Sequence, residues 1–121
     1  MALVPYDIKL EFSPLRMKKG DEKPTQMLVY LKNLENEENL TSVVIDIPNQ
    51  AGFDKTGAVS RKEIRIGTLK PTEEKKFTIE LFSNHRTEPG TYNVKVMAHK
   101  HYRGYSHIIN SAEKNISLRI V

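Results

Sequence analysis

The sequence predicts an all-β antiparallel sandwich of seven to eight strands. Two observations carry this. Apolar residues recur at every second position through most of the chain, which is the period of a half-buried strand and not the 3.6 of a helix. The segments between these runs place Pro, Gly, Asn or Asp where the chain must reverse, as in "KKGDEKP", "IPNQAG", "LKPTEE" and "TEPGT", because these residues supply the φ values and local hydrogen bonds of turns. Short strands with such turns bury their apolar faces by packing as two sheets.

The strands follow in order. The first runs from Asp7 to Ser13, with Ile8, Leu10 and Phe12 alternating. The second spans Thr25 to Asn33, with Met27, Val29 and Leu31 on one face. The third is Leu40 to Ile47, marked by Val43, Ile45 and Ile47, and the fourth is the short Lys62 to Gly67. Lys75 to Ser83 carries Phe77, Ile79 and Leu81. Thr91 to His101 carries Tyr92, Val94, Val96 and Ala98. The last runs from Tyr105 to Val121, with "NSAEK" (110–114) expected to be a bulge or a switch between sheets. The expected core is Val29, Leu31, Ile45, Ile79, Leu81, Val94, Val96 and Leu118.

At 121 residues the length suits one domain, residues 1–121, with a single core. Apolar content of 38% and charged content of 28% are those of a globular chain and not a disordered one. The net charge of +4 is spread among acidic residues, which is not the clustered footprint of a nucleic-acid binder. No run approaches the roughly 20 apolar residues of a membrane span. The chain has no cysteine, which excludes disulfides, zinc-thiolate sites and thiol catalysis. The first twenty residues hold too many charges for a secretory signal. The expected location is cytoplasmic if Met1 is the native start, and the cell surface if the segment is an excised domain.

"IRIGTLKPTEEKKFTIEL" followed by "EPGTYNVKVMA" resembles the CARDB and APHP type of immunoglobulin-like domain in bacterial and archaeal proteins. Ile66, Leu69, Pro71 and Glu73 match the family's "I-x-x-L-x-P-x-E" turn. Pro89, Gly90, Tyr92 and Val94 match its "P-G-x-Y-x-V" strand start. "LVYLKN", ending at Asn33, is similar to its early "V-x-V-x-N" strand. Thr72 stands where the family often has Gly. The resemblance implies an immunoglobulin-like sandwich and is silent on function. Tyr92 is expected to bury its ring at the sandwich end, with its hydroxyl on a backbone carbonyl in the manner of a tyrosine corner.

"HKHYRGYSH" (99–107) holds three of the four histidines. It is expected to be the tip of the hairpin joining the last two strands. A three-residue loop, Tyr102-Arg103-Gly104, would put Gly104 at a left-handed position. His99 would then oppose His107 and His101 would oppose Tyr105, all on the face away from Val94, Val96 and Ala98. Three imidazoles on one face suit Zn²⁺, Ni²⁺ or Cu²⁺, with Glu37 or Glu38 to complete the shell. The competing readings are a solvated tip screened by the acidic loops 34–39 and 69–74, and a pH-sensitive contact.

Other motifs are weaker. "GYSHI" lacks the second Gly of a nucleophile elbow and the α/β pattern that elbow needs, so Ser106 is not expected to be catalytic. No phosphate-cradling or dinucleotide loop is present. Phe53, in the long loop 50–61, either caps the sandwich or anchors a partner. Asn39 and Asn115 sit in glycosylation sequons that matter only in a secreted chain. The expected function is a non-enzymatic protein-interaction module without a cofactor. It would bind a protein partner, or a second copy through edge strands, with Phe53, Arg103 and Tyr105 as contacts. The alternative is a small metal-binding or pH-sensing domain built on His99, His101 and His107.

Overall fold

In the computed structural model, which describes residues 4–121, eight strands form two sheets. The strands are β1 (Tyr6–Ser13), β2 (Arg16–Met17), β3 (Thr25–Asn33), β4 (Asn39–Asp46), β5 (Arg61–Leu69), β6 (Glu74–Leu81), β7 (Gly90–His101) and β8 (Ile108–Ile120). One sheet has the order β1-β3-β6, the other β2-β8-β7-β4-β5. All pairings are antiparallel except the short β2–β8 pair. The question of the native start falls on Met1, outside the described residues.

The alternation places the core as expected. Val29, Leu31, Ile45, Leu81, Val94 and Leu118 are fully buried, and Ile79 and Val96 nearly so. They interdigitate between the inner faces of the sheets, as sandwich cores do.

Two expectations about the last strand are corrected. It begins at Ile108 and not at Tyr105, and "NSAEK" neither bulges nor switches sheets: Asn110 to Lys114 pair in register with Lys100 to Val96. Ala112 turns into the core and Lys114 takes the next inward position, opposite Val96. The change of sheet happens instead near the start of the chain. There β1 ends at a cis Ser13–Pro14 bond and β2 joins the other sheet.

Exposed lysines take inward register positions on β5 and β6, which are edge strands, and on β8, which only the two-residue β2 covers. Lys114 opposes Val96 on β8, Lys62 opposes Ile45 on β5, and Lys75 opposes Leu31 on β6. An inward charge at an edge makes pairing with another sheet costly, because pairing would desolvate it. The edge strand β1 of the three-stranded sheet lies beside β8 and buries Tyr6, Ile8 and Phe12.

Tyr92 fulfils half of its expectation. Its hydroxyl donates to the Glu88 carbonyl at 3.0 Å, but its ring is half-buried and packs against the edge of the core. A side chain at Gly90 would meet the Tyr92 hydroxyl at 3.1 Å, so glycine admits the close approach. Tyr92→Phe is expected to cost no more than about 1 kcal/mol, the net value of one hydrogen bond. Tyr92→Ala is expected to cost about 2 kcal/mol, less than a fully buried aromatic would. Denaturant unfolding of both variants checks this, and a Tyr92→Ala midpoint equal to wild type would contradict it.

Candidate functional site

The β3–β4, β5–β6 and β7–β8 loops meet at one end of the sandwich, and Asn33 ties two of them together. Its buried side-chain amide donates to the carbonyls of Glu37, Leu69 and Lys70 at 2.9 to 3.1 Å. Its Oδ1 accepts from the Glu35 amide and from Asn39 Nδ2. Its backbone N–H donates to the Glu73 carbonyl, and its carbonyl accepts from the Thr72 amide. Thr72 is held at φ 63°, a left-handed conformation that explains why glycine suits this position in the CARDB-type turn.

Lys100 fastens the third loop's strand to the same assembly. Its Nζ lies 2.8 Å from Glu35 and 2.6 Å from Glu37. The hydrogen bond from Lys100 is the main reason the Glu35 carboxyl is held below the usual carboxylate range, with Asn39 adding to it. Beneath them Tyr6 bonds Thr41 at 2.7 Å, and burial pushes the Tyr6 phenol upward. The acidic loop does meet the basic hairpin, as the topology implied, but Glu37 engages Lys100 and not a histidine.

The tip itself is longer than expected. Tyr102 to His107 form the loop, closed by Tyr102 N–H to the His107 carbonyl at 3.0 Å and His107 N–H to the Gly104 carbonyl at 3.3 Å. Arg103, not Gly104, takes the left-handed position, at φ 60°. A bulge between Lys100 and His101 leaves Ile109 without a partner across the ladder. The longer loop moves the pairing by three residues, so His101 opposes Ile108 and not Tyr105, and the bulge adds one more, so His99 opposes Ser111 and not His107.

The alternation of β7 runs to its end. Lys100 turns to the acidic loop, while His101 is buried against the outer face of the five-stranded sheet. Its Nε2 lies 2.6 Å from Ser42 Oγ, and its Nδ1 is buried without a hydrogen-bond partner. Tyr105 folds back edge-on to His101, with ring centroids 5.1 Å apart, and Arg65 lies over the Tyr105 ring at 4.7 Å. His99 is half-buried 6.3 Å from His101, ring to ring, with Nδ1 2.7 Å from Ser111 Oγ. Burial, then the neighbouring His101 and Arg61, hold the His99 imidazole below its usual range. His107 is exposed and bonds Ser106 at 3.2 Å. Among the described residues, no three His, Asp or Glu side chains converge so as to hold a metal ion.

The three expected contact residues have separate fates. Arg103 is exposed, its guanidinium over the Tyr102 ring at 5.0 Å. Tyr105 is half-buried as just described. Phe53 folds back onto the core with Lys62 near its ring. Sequence reasoning missed Tyr102, Ile108 and Ile109, which expose 52%, 55% and 55% of their surfaces on this one hairpin. Adjacent isoleucines at a strand start were the available signal, since a strand cannot turn two successive side chains inward.

No protein-family model matches the sequence, and no curated protein matches it. Solved structures do match in fold. The CARDB domain of a Pyrococcus furiosus protein, solved in complex with di-metal ions, superimposes with a TM-score of 0.57 at 17% identity, over 100% of this chain and 95% of that one. The C-terminal domain of wzt gives a TM-score of 0.60 at 10% identity, over 100% and 76%. A PapD-like domain of human CEP192 gives 0.54 at 15%, over 100% and 90%. The chain therefore has an immunoglobulin-like β-sandwich fold. Its architecture is that of CARDB and PapD-like domains.

The corrected turn changes what each residue tolerates. A Cβ at Gly104 would meet nothing within 4 Å, so Gly104→Ala is expected to leave stability unchanged or raise it by up to about 1 kcal/mol. Arg103→Ala keeps a left-handed side chain and is expected to gain nothing, whereas Arg103→Gly relieves the strain. Melting temperatures of the three variants check this. A large loss in Gly104→Ala would restore the shorter loop.

Proposed function

We propose that this chain is a non-enzymatic protein-interaction module of adhesion or assembly type, and that it binds its partner through the β7–β8 hairpin. The observation that carries the reading is the exposed trio Tyr102, Ile108 and Ile109, with Arg103 stacked beside it. Large apolar and Arg side chains grouped on a supported loop are the composition of an interface centre. The inward lysines on β5, β6 and β8 favour this end over pairing at a sheet edge. The fold neighbours, among them a CARDB and a PapD-like domain, support a β-sandwich module. The Ser42–His101 pair does not support nucleophilic chemistry: it is closed to solvent, and the imidazole's second nitrogen has no orienting acceptor.

The test compares wild type with an Ile108→Glu/Ile109→Glu double variant. Both side chains are exposed, so the variant is expected to keep the wild-type circular dichroism spectrum. A partner captured by the wild type and then purified is expected to bind the variant at least about 100-fold more weakly, the loss of two hot-spot contacts. Equal affinity would overturn the reading, as would loss of binding from Lys55→Glu at the opposite end.

A further inference from the structure

The hairpin tip is fastened to the sheet by one residue. Among the described residues of loop 102–107, Arg103 stacks on Tyr102 and His107 bonds Ser106, both within the loop. Tyr105 alone reaches the sheet through ring contacts, lying between His101 and Arg65. The tip is closed over an imidazole that is more than nine-tenths buried, one nitrogen held by Ser42 and the other unpartnered.

The surroundings offer a second proton no place. On β4 the facing residues are Leu40 and Ser42, both uncharged. From β5 come Arg61, Arg65 and Glu63, and Glu63 is taken by Arg65 at 3.2 Å. On β8 the facing residue is Ser111, and Glu113 beyond it pairs with Lys95 at 2.8 Å. Lys100 is turned away onto Glu35 and Glu37. The loop adds Arg103 and His107. A proton on Nδ1 of His101 would be a buried donor without an acceptor. A proton on each imidazole would set two cations on rings 6.3 Å apart.

We propose that His99 and His101 form an acid-sensitive latch that keeps the 102–107 tip closed near neutral pH and releases it when the pair takes up protons. As regulation of the tip, this rests on the binding role proposed above, but the latch is read without a partner. The sign follows from the geometry. The open tip hydrates the His99 imidazole, which takes a proton more readily there than in the closed form, and it ends the buried, acceptor-less setting of His101 Nδ1. Closure is therefore at full strength above the ordinary imidazole range, about 6.5, and weakens as pH falls through and below it. The lowered His99 value agrees with this direction. The left-handed Arg103 is relieved on opening, which favours release once the anchor weakens.

The test is the {¹H}-¹⁵N heteronuclear NOE of the whole chain at pH 7.5 and pH 5.5. The amides of Arg103, Gly104 and Tyr105 are expected to fall from strand-like values to those of a mobile loop at the lower pH, while Val96 does not change. His101→Phe keeps the aromatic contact and removes the proton, and is expected to keep the tip ordered at both pH values. Should His101→Phe fail to fold, His99→Gln serves instead and is expected to shrink the pH response. A tip equally ordered at both pH values would overturn the latch. So would loosening of Val96 together with the tip, or an undiminished response in the variant. Partner binding does not enter this readout, so the latch and the binding role fail separately.

Discussion

The end of the sandwich that carries the hairpin depends on the side chain of Asn33. Its amide is fully buried at the last position of a central strand and shares its two hydrogens among three loop carbonyls, while its oxygen accepts two donors. Loop backbones must place their polar groups somewhere, and here the β3–β4 and β5–β6 loops place theirs on one residue. A side chain able both to donate and to accept is required, and a carboxylate or an aliphatic residue of similar size would leave several of these groups unpaired.

From that anchor the assembly reaches β7 through charge. Asn33 and Asn39 shape the loop that brings Glu35 and Glu37 to Lys100. Lys100 faces this loop, and His101 the other side, because successive residues of β7 point to opposite faces. The six-residue loop starts β8 three residues later than the alternation suggests, and the bulge between Lys100 and His101 leaves Ile109 without a partner across the ladder. The hairpin thus has a buried side that fixes it and an exposed side that displays Tyr102, Ile108 and Ile109.

The strands were legible because half-buried strands announce themselves by alternation, and the core residues from Val29 to Leu118 fell where that pattern put them. The "NSAEK" segment was misread because Lys114 interrupts the apolar run. An inward lysine at an edge looks, in sequence, like the end of a strand. The tip was misread because loop length depends on ladder register, and a one-residue bulge is invisible in the residues themselves. Glycine was the natural choice for a left-handed position, yet the structure puts Arg103 and Thr72 there, Thr72 with its amide bonded to the Asn33 carbonyl and Arg103 with its guanidinium over the Tyr102 ring. The histidine stretch was legible as a hairpin tip. Its division into one buried, one half-buried and one exposed imidazole was not, since that depends on Ser42, Ser111 and Tyr105 converging from separate parts of the fold.

The most direct test of this account is Asn33→Leu, read by amide hydrogen exchange and denaturant unfolding together. The account predicts a loss of about 3 kcal/mol or more, since several buried groups lose partners at roughly 1 to 3 kcal/mol each. It also predicts that protection at the Glu35 and Thr72 amides falls together, because Glu35 loses its side-chain acceptor while the turn holding Thr72 loses the donor to its Leu69 and Lys70 carbonyls. A stability within about 1 kcal/mol of wild type, or loss of protection in one loop without the other, would contradict the claim that Asn33 holds this end of the sandwich in place.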